Sequence, residues 1–235
     1  MGIKEIGKYK FIEEIYENIY MYFSTAEGGM DFNKNSNKGI DNLNSIKKWF
    51  NVEQVSFLNQ IHSDKVVIAS NTIEEGDALI SDEISRAIGV FTADCVPILI
   101  IDKKNRVIGA VHSGWRSTAK DIVIKTIKKM KEVYGSHEEF INIYIGPHIK
   151  ECCFEVGDEV IDIFKKNINF KDRMVNNNKI DLQSYIIECL LNEGIKKENI
   201  FTEELCTYCC ENTRLHSYRR EKQGYGRMFS FIFIK

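Results

Sequence analysis

Residues 96–111 read Val96-Pro97-Ile98-Leu99-Ile100-Ile101-Asp102-Lys103-Lys104-Asn105-Arg106-Val107-Ile108-Gly109-Ala110-Val111, two apolar runs around one polar turn. Short Val- and Ile-rich runs joined by a turn of hairpin length predict two antiparallel strands. A four-residue loop closed by Asn105 sets Ile101 opposite Arg106 and Cys95 opposite His112, with Cβ atoms about 5 Å apart. A five-residue loop pairs Cys95 with Ser113 instead. The register stays open, because a one-residue slip turns every side chain to the other face. In either register Cys95 and His112 stand at the open end of one hairpin.

Outward from this hairpin the chain alternates strand and helix signals. Ser117 or Thr118 is placed to N-cap a helix that runs to Tyr134, with Val123, Ile127, Met130 and Tyr134 along one stripe and Gly135 as the stop. A strand over residues 141–145 follows. Residues 155–166 and 182–193 have helical spacing, and Gly194 ends the second. Residues 228–234 form an apolar run that suits a strand covered on both faces. The pattern predicts an α+β fold, with mixed β-sheets layered with helices in one large domain over residues 1–235 and no repeat at a fixed period.

A chain of 235 residues buries roughly 70 to 75% of its unfolded surface, enough for a sizeable core. The net charge of −2 and pI near 6.2 give no footprint for nucleic acid, and the Lys-rich stretches alternate with acids. The first residues lack a secretory apolar region, and no run reaches the roughly 18 apolar residues that a bilayer requires. The expectation is a cytoplasmic protein without a membrane partner, for which a homodimer is one open assembly. Seven cysteines in a reducing compartment imply free thiols rather than a disulfide framework. A structural zinc usually wants two Cys-x-x-Cys pairs, so Cys206, Cys209 and Cys210 read as packed thiols, as do Cys152, Cys153 and Cys189.

Three segments end on a soft, metal-capable side chain: Asn59-Gln60-Ile61-His62, Thr92-Ala93-Asp94-Cys95 and Gly109-Ala110-Val111-His112. Two imidazoles and a thiolate fill three positions of a tetrahedral zinc and leave the fourth for water or substrate. Copper accepts the same donors. The rival chemistry is a nucleophile pair in which His112 draws the proton from Cys95, as in a thiol hydrolase acting on an amide. A third possibility is a protein that only binds zinc or copper, and the plainest is a core cysteine with two scattered histidines. Asp94, Pro97 and Ser113-Gly114-Trp115-Arg116 interrupt both strands where side chains meet solvent or a ligand.

These segments carry a family resemblance. Together with Asp77-Ala78-Leu79-Ile80, Gly146-Pro147-His148-Ile149, Cys152-Cys153-Phe154-Glu155-Val156-Gly157, Ser217-Tyr218-Arg219-Arg220 and Gly226-Arg227, they resemble, in order, the bacterial multicopper polyphenol oxidase or laccase-domain family. Its members are now regarded as purine nucleoside phosphorylases with adenosine deaminase activity. The resemblance runs from about residue 20 to the C-terminus. It implies a layered α/β/β/α fold and a zinc or copper ion on His62, Cys95 and His112. It also implies phosphorolysis of adenosine, inosine, guanosine and S-methyl-5'-thioadenosine. The chain departs from the family at Ala26, where an Arg is usual, and at Gly224-Tyr225-Gly226-Arg227, where Thr-Gly-Arg is usual.

For such reactions the corner after His112 is the natural place for phosphate. Ser113 and Gly114 lead into a helix N-terminus, whose free N–H groups and dipole favour an anion. Arg116 is placed to clamp it bidentately, with Arg219, Arg220 or Arg227 as a second charge. Trp115 either stacks on a purine or anchors the corner. For deamination, a water activated by the metal attacks the purine carbon that bears the amino group, and Asp94 or Glu155 shuttles the proton.

Overall fold

The computed structural model describes residues 1–235. An antiparallel meander of β1 (Gly2–Ile6), β2 (Tyr9–Tyr16) and β3 (Ile19–Ser24) leads into α1 (Asn37–Phe50). β4 (Gln54–Ser56), β5 (Val66–Ile68), β6 (Ala78–Ser81), β7 (Arg86–Thr92), β8 (Val96–Asp102) and β9 (Val107–Ser113) follow. Next come α2 (Trp115–Ala119), α3 (Ile122–Tyr134), β10 (Ile141–Ile145) and α4 (Asp158–Lys165). The chain closes with β11 (Val175–Asn176), β12 (Lys179–Ile180), α5 (Leu182–Asn192), β13 (Ile200–Thr202), α6 (Tyr218–Glu221) and β14 (Met228–Ile234).

Two mixed six-stranded sheets result, one in the order β1-β2-β3-β14-β7-β4 and the other β13-β10-β8-β9-β6-β5. Side-chain parity shows how they stack. On β8, Ile98 and Ile100 join a core with Ile127, Met130, Phe164 and Tyr185 of the helices. Leu99 and Ile101 point the other way, into a core with Met21, Phe23, Ile88 and Ile232 of the facing sheet. On β14, Phe229, Phe231 and Phe233 turn away from that shared core to meet Ile46 and Phe50 of α1. The layers therefore run helix, sheet, sheet, helix. A strand covered on both faces has no polar side, which is why β8 and β14 read as unbroken apolar runs. No helix is long and apolar enough to cross a membrane.

The hairpin register differs from both expected alternatives. Asp102 pairs with Val107, so Pro97 faces His112 and Val96 faces Ser113. The turn is residues 103–106, with Arg106 at φ 55°, and Asp102 stays inside the ladder because its Oδ1 accepts from the N–H groups of Lys104 and Asn105. Cys95 lies one residue beyond the paired strand, level with Gly114.

The helix expected from residue 117 or 118 to Tyr134 is broken in two. Lys120 ends α2 and Asp121, at φ 58°, restarts the chain as α3. Gly135 at φ 66° stops α3 as the sequence indicates. Gly114, not Ser117 or Thr118, caps the first turn. The Thr118 hydroxyl instead bonds Ser113 Oγ and the Gly114 carbonyl, buried beneath the corner. α4 begins at Asp158 rather than 155, because Glu155 is still engaged in a β-bridge with Lys179.

Candidate functional site

β7 ends at Thr92, and the chain turns sharply through Ala93, Asp94 and Cys95 before β8 begins. Asp94 sits at φ 88°, a conformation costly for a residue with a Cβ. It is held there by both carboxylate oxygens: Thr207 Oγ1 donates to Oδ1 at 2.6 Å and the Arg219 N–H to Oδ2 at 2.7 Å. With those lone pairs engaged, Asp94 braces the cysteine turn against the C-terminal segment, and the expected role of proton carrier does not suit it.

His62 occupies an exposed loop and also has a positive φ, 56°. The cause of its placement is Asp77, which is fully buried at the start of β6. The backbone N–H groups of Ile61, His62 and Ser63 donate to its carboxylate at 3.3, 3.1 and 2.5 Å. The ring Nδ1 of His112 lies 2.8 Å from Asp77 Oδ1, and the His112 N–H donates to the Asp77 carbonyl at 2.7 Å. One buried carboxylate thus fixes the loop of the first histidine and the ring of the second. Burial opposes its ionisation, but the bonds from His112 and Ser63 hold Asp77 below the usual carboxylate range.

The three predicted ligands meet. Their donor atoms all lie within 4.8 Å of one another, with Cys95 Sγ 4.0 Å from His62 Nε2. The two imidazole rings are 4.9 Å apart at their centroids and nearly perpendicular. A Cβ on Gly114 would stand 2.9 Å from His62 Cδ2 and 3.1 Å from Cys95 Sγ, so this close approach requires glycine. Burial opposes charge on Cys95 and on His112, but their mutual attraction wins. It lowers the thiol and, with the bond to Asp77, raises the imidazole.

The donor set fits the metal that the family resemblance implies. Tetrahedral zinc with nitrogen and sulfur ligands needs edges of about 3.5 Å, slightly tighter than the spacing found. Asp77 on His112 Nδ1 leaves Nε2 for the ion, the carboxylate-to-histidine arrangement that orients metal ligands.

A cavity of about 490 Å³ opens over these residues, with Arg116, Lys34 and Arg227 as its cations and Phe91, Tyr218 and Tyr225 as its aromatic walls. A second, of about 500 Å³, shares His62, Cys95, Arg116 and Tyr218 and adds Glu155 and Arg219. The Arg116 guanidinium lies 4.2 Å over the Trp115 ring, and that of Arg227 lies 4.0 Å over Tyr225. Trp115 packs its body on the helix-side core. Not every expected residue reaches the cavity. Ser113 is fully buried with its hydroxyl on Thr118, and Arg220 donates to the carbonyls of Thr207, Tyr208 and Leu215, clamping a loop. Ala26 is buried, so no charge comes from that position.

The site reading of the sequence missed Asp77, Lys34, Tyr218 and Tyr225. Asp77 left one signal, an acid placed at the head of the apolar stretch Ala78-Leu79-Ile80. Gln60 was missed as well; its amide donates to the Phe91 carbonyl at 2.8 Å and accepts from the Phe91 N–H at 2.7 Å, pinning the His62 loop to β7.

Comparison with known proteins identifies the family and the fold. Residues 18–235 match the family described as multi-copper polyphenol oxidoreductase laccase. A purine nucleoside phosphorylase of Clostridium acetobutylicum is 44% identical over the full length of both chains. One from Aquifex aeolicus is 38% identical over 80% of this chain and 87% of its own. An adenosine deaminase from an unknown prokaryotic organism is 36% identical over 69% of this chain and 64% of its own. The hypothetical protein YfiH of Bacillus licheniformis has the same fold, with a TM-score of 0.89 at 24% identity over 99% of both chains. The chain belongs to the multi-copper polyphenol oxidoreductase laccase family.

Proposed function

We propose that this protein is a metal-dependent purine nucleoside phosphorylase that also deaminates adenosine, with residues 1–235 forming one catalytic domain. The carrying observation is the convergence of His62, Cys95 and His112 on the floor of a cavity whose walls provide Arg116, Arg227 and the rings of Tyr218 and Tyr225. The names of the relatives in Clostridium and Aquifex support phosphorolysis, and that of the deaminase relative supports loss of the amino group. Adenosine, inosine, guanosine and S-methyl-5'-thioadenosine are the expected substrates.

A zinc or copper ion on His62, Cys95 and His112 would supply Lewis acidity. The protein supplies the rest. The aromatic walls hold the purine, and Arg116 with Arg227 and Lys34 holds phosphate against the ribose. A phosphate oxygen then bonds the anomeric carbon as the base departs with the electrons of the glycosidic bond, and fixed cations near the anion lower that barrier without reorganising. Asp77 keeps the proton of His112 on Nδ1. Glu155, exposed on the second cavity beside Glu159, is a carboxylate available to carry protons in deamination.

Adenine release from adenosine is expected to need inorganic phosphate and to yield ribose 1-phosphate. Arg116→Ala should raise the KM for phosphate roughly tenfold to a hundredfold, since a bidentate charged contact is worth about 1.5 to 3 kcal/mol. Equal release in phosphate-free buffer would overturn phosphorolysis. The polarised Cys95/His112 pair also favours a second reading, a thiol hydrolase. Alkylation separates the two: slow labelling of Cys95 that quickens on chelation supports the metal enzyme, and fast labelling indifferent to chelator supports the hydrolase.

A further inference from the structure

Four other thiols gather in a second cluster that lines neither cavity. Cys152 and Cys153 lie in the turn that follows β10, Cys206 and Cys209 in the turn that follows β13, and all four sulfurs are within 4.8 Å of one another. Cys152 Sγ and Cys209 Sγ are 3.7 Å apart. The edge of a tetrahedral zinc tetrathiolate is about 3.8 Å, given Zn–S bonds of about 2.3 Å. The sequence by itself leaves these residues as packed thiols, because the second pair is adjacent rather than spaced as Cys-x-x-Cys.

The backbone is arranged for thiolates. Cys206 is buried, and the Lys150 N–H points at its sulfur from 3.5 Å. Four sulfurs this close together can present four lone pairs to one central cation.

We propose that Cys152, Cys153, Cys206 and Cys209 form a second, structural metal site that takes a thiophilic divalent ion, zinc foremost, in closed tetrathiolate coordination. Four protein ligands leave no open position for substrate, so the site is a clip and not a catalyst. What it clips bears on the cavity. Residues 203–217 form no helix or extended strand. Thr207 follows Cys206 and bonds Asp94 beside Cys95, while its carbonyl accepts from Arg220. Closing the thiols on an ion would fix the base of the segment that presents Tyr218, Arg219 and Tyr225.

The test uses full-length protein carrying Cys95→Ala and His112→Ala, purified anaerobically with reductant and without chelator, so that the first site contributes no metal. One zinc per chain is expected, and the cobalt-substituted form should show intense sulfur-to-cobalt charge transfer with tetrahedral bands. Adding Cys206→Ser and Cys209→Ser should abolish both. Should that variant fold poorly, native thiol titration of the unmutated cysteine cluster replaces it, with chelation expected to expose up to four further thiols. No bound zinc and no charge transfer would overturn the proposal. So would a thiol count unmoved by chelation, or a Cys152–Cys209 disulfide in the reduced preparation.

Discussion

The two groups of soft side chains are built from different parts of the fold and differ in one decisive respect. His62 on a loop, Cys95 in the turn before β8 and His112 on β9 face a cavity of about 490 Å³, and one buried carboxylate holds both histidines. The four thiols close on themselves between two turns, with no carboxylate among them. An incomplete donor set beside open space suits catalysis, whereas a complete set suits mechanical fastening. Strands β6, β7 and β9, with the buried Asp77 carboxylate, position the first group. Turns alone position the second, and an ion would have to do part of the ordering.

The largest effect expected on this contrast is at His112. His112→Ala removes one of the three proposed ligands and leaves Asp77 buried without its ring partner. Lewis-acid stabilisation is worth several kcal/mol, so turnover of adenosine should fall at least about a thousandfold, while metal at the proposed cysteine site should stay bound. Elemental analysis beside a turnover assay checks both halves, and retained activity would erase the distinction between the sites.

A smaller effect is expected from Asp77→Asn, which keeps the shape but removes the charge that orients both histidines. Loss of such an outer carboxylate costs roughly tenfold to a hundredfold in metal affinity or activity. Titrating the variant with zinc, and following kcat alongside, separates weakened metal binding from general unfolding. If kcat and metal affinity are both unchanged, Asp77 is only a fold element.

The smallest effect sets the baseline for a region outside both sites. Lys131 on α3 pairs with Glu193 at 3.0 Å and Glu138 at 3.2 Å. Both pairs are partly exposed, so Lys131→Met should lower stability by no more than about 1 kcal/mol. Glu138 is held below its ordinary value by its own backbone N–H first and by Lys131 second. A carboxylate with a depressed folded pKa stabilises above its unfolded value, near pH 4, and loses that contribution as pH falls through the folded one. The Tm gap between variant and parent should therefore be full at pH 7 and close towards pH 3, with activity untouched throughout.

What the chain reveals of itself follows the range of the interaction. Hydrophobic period and stop signals are local, so the β8 and β9 runs, β14, the stripe of α3 and its end at Gly135 are legible in residues 96–135 and 228–234. The three soft residues His62, Cys95 and His112 are legible too, because each closes a short segment that ends on a metal-capable side chain. Register was not, since it depends on how Asp102 folds its side chain over the turn and admits Val107 as a partner. Nor was the break at Asp121, where the helix must change direction to pack on the second sheet. The tasks of Asp77 and Asp94 are set by partners found only after folding, and the cysteine cluster joins sulfurs 57 positions apart. Sequence thus marked the soft side chains proposed to carry the chemistry. Tertiary structure decided which of them meet, because long-range pairing fixes geometry that no local preference encodes.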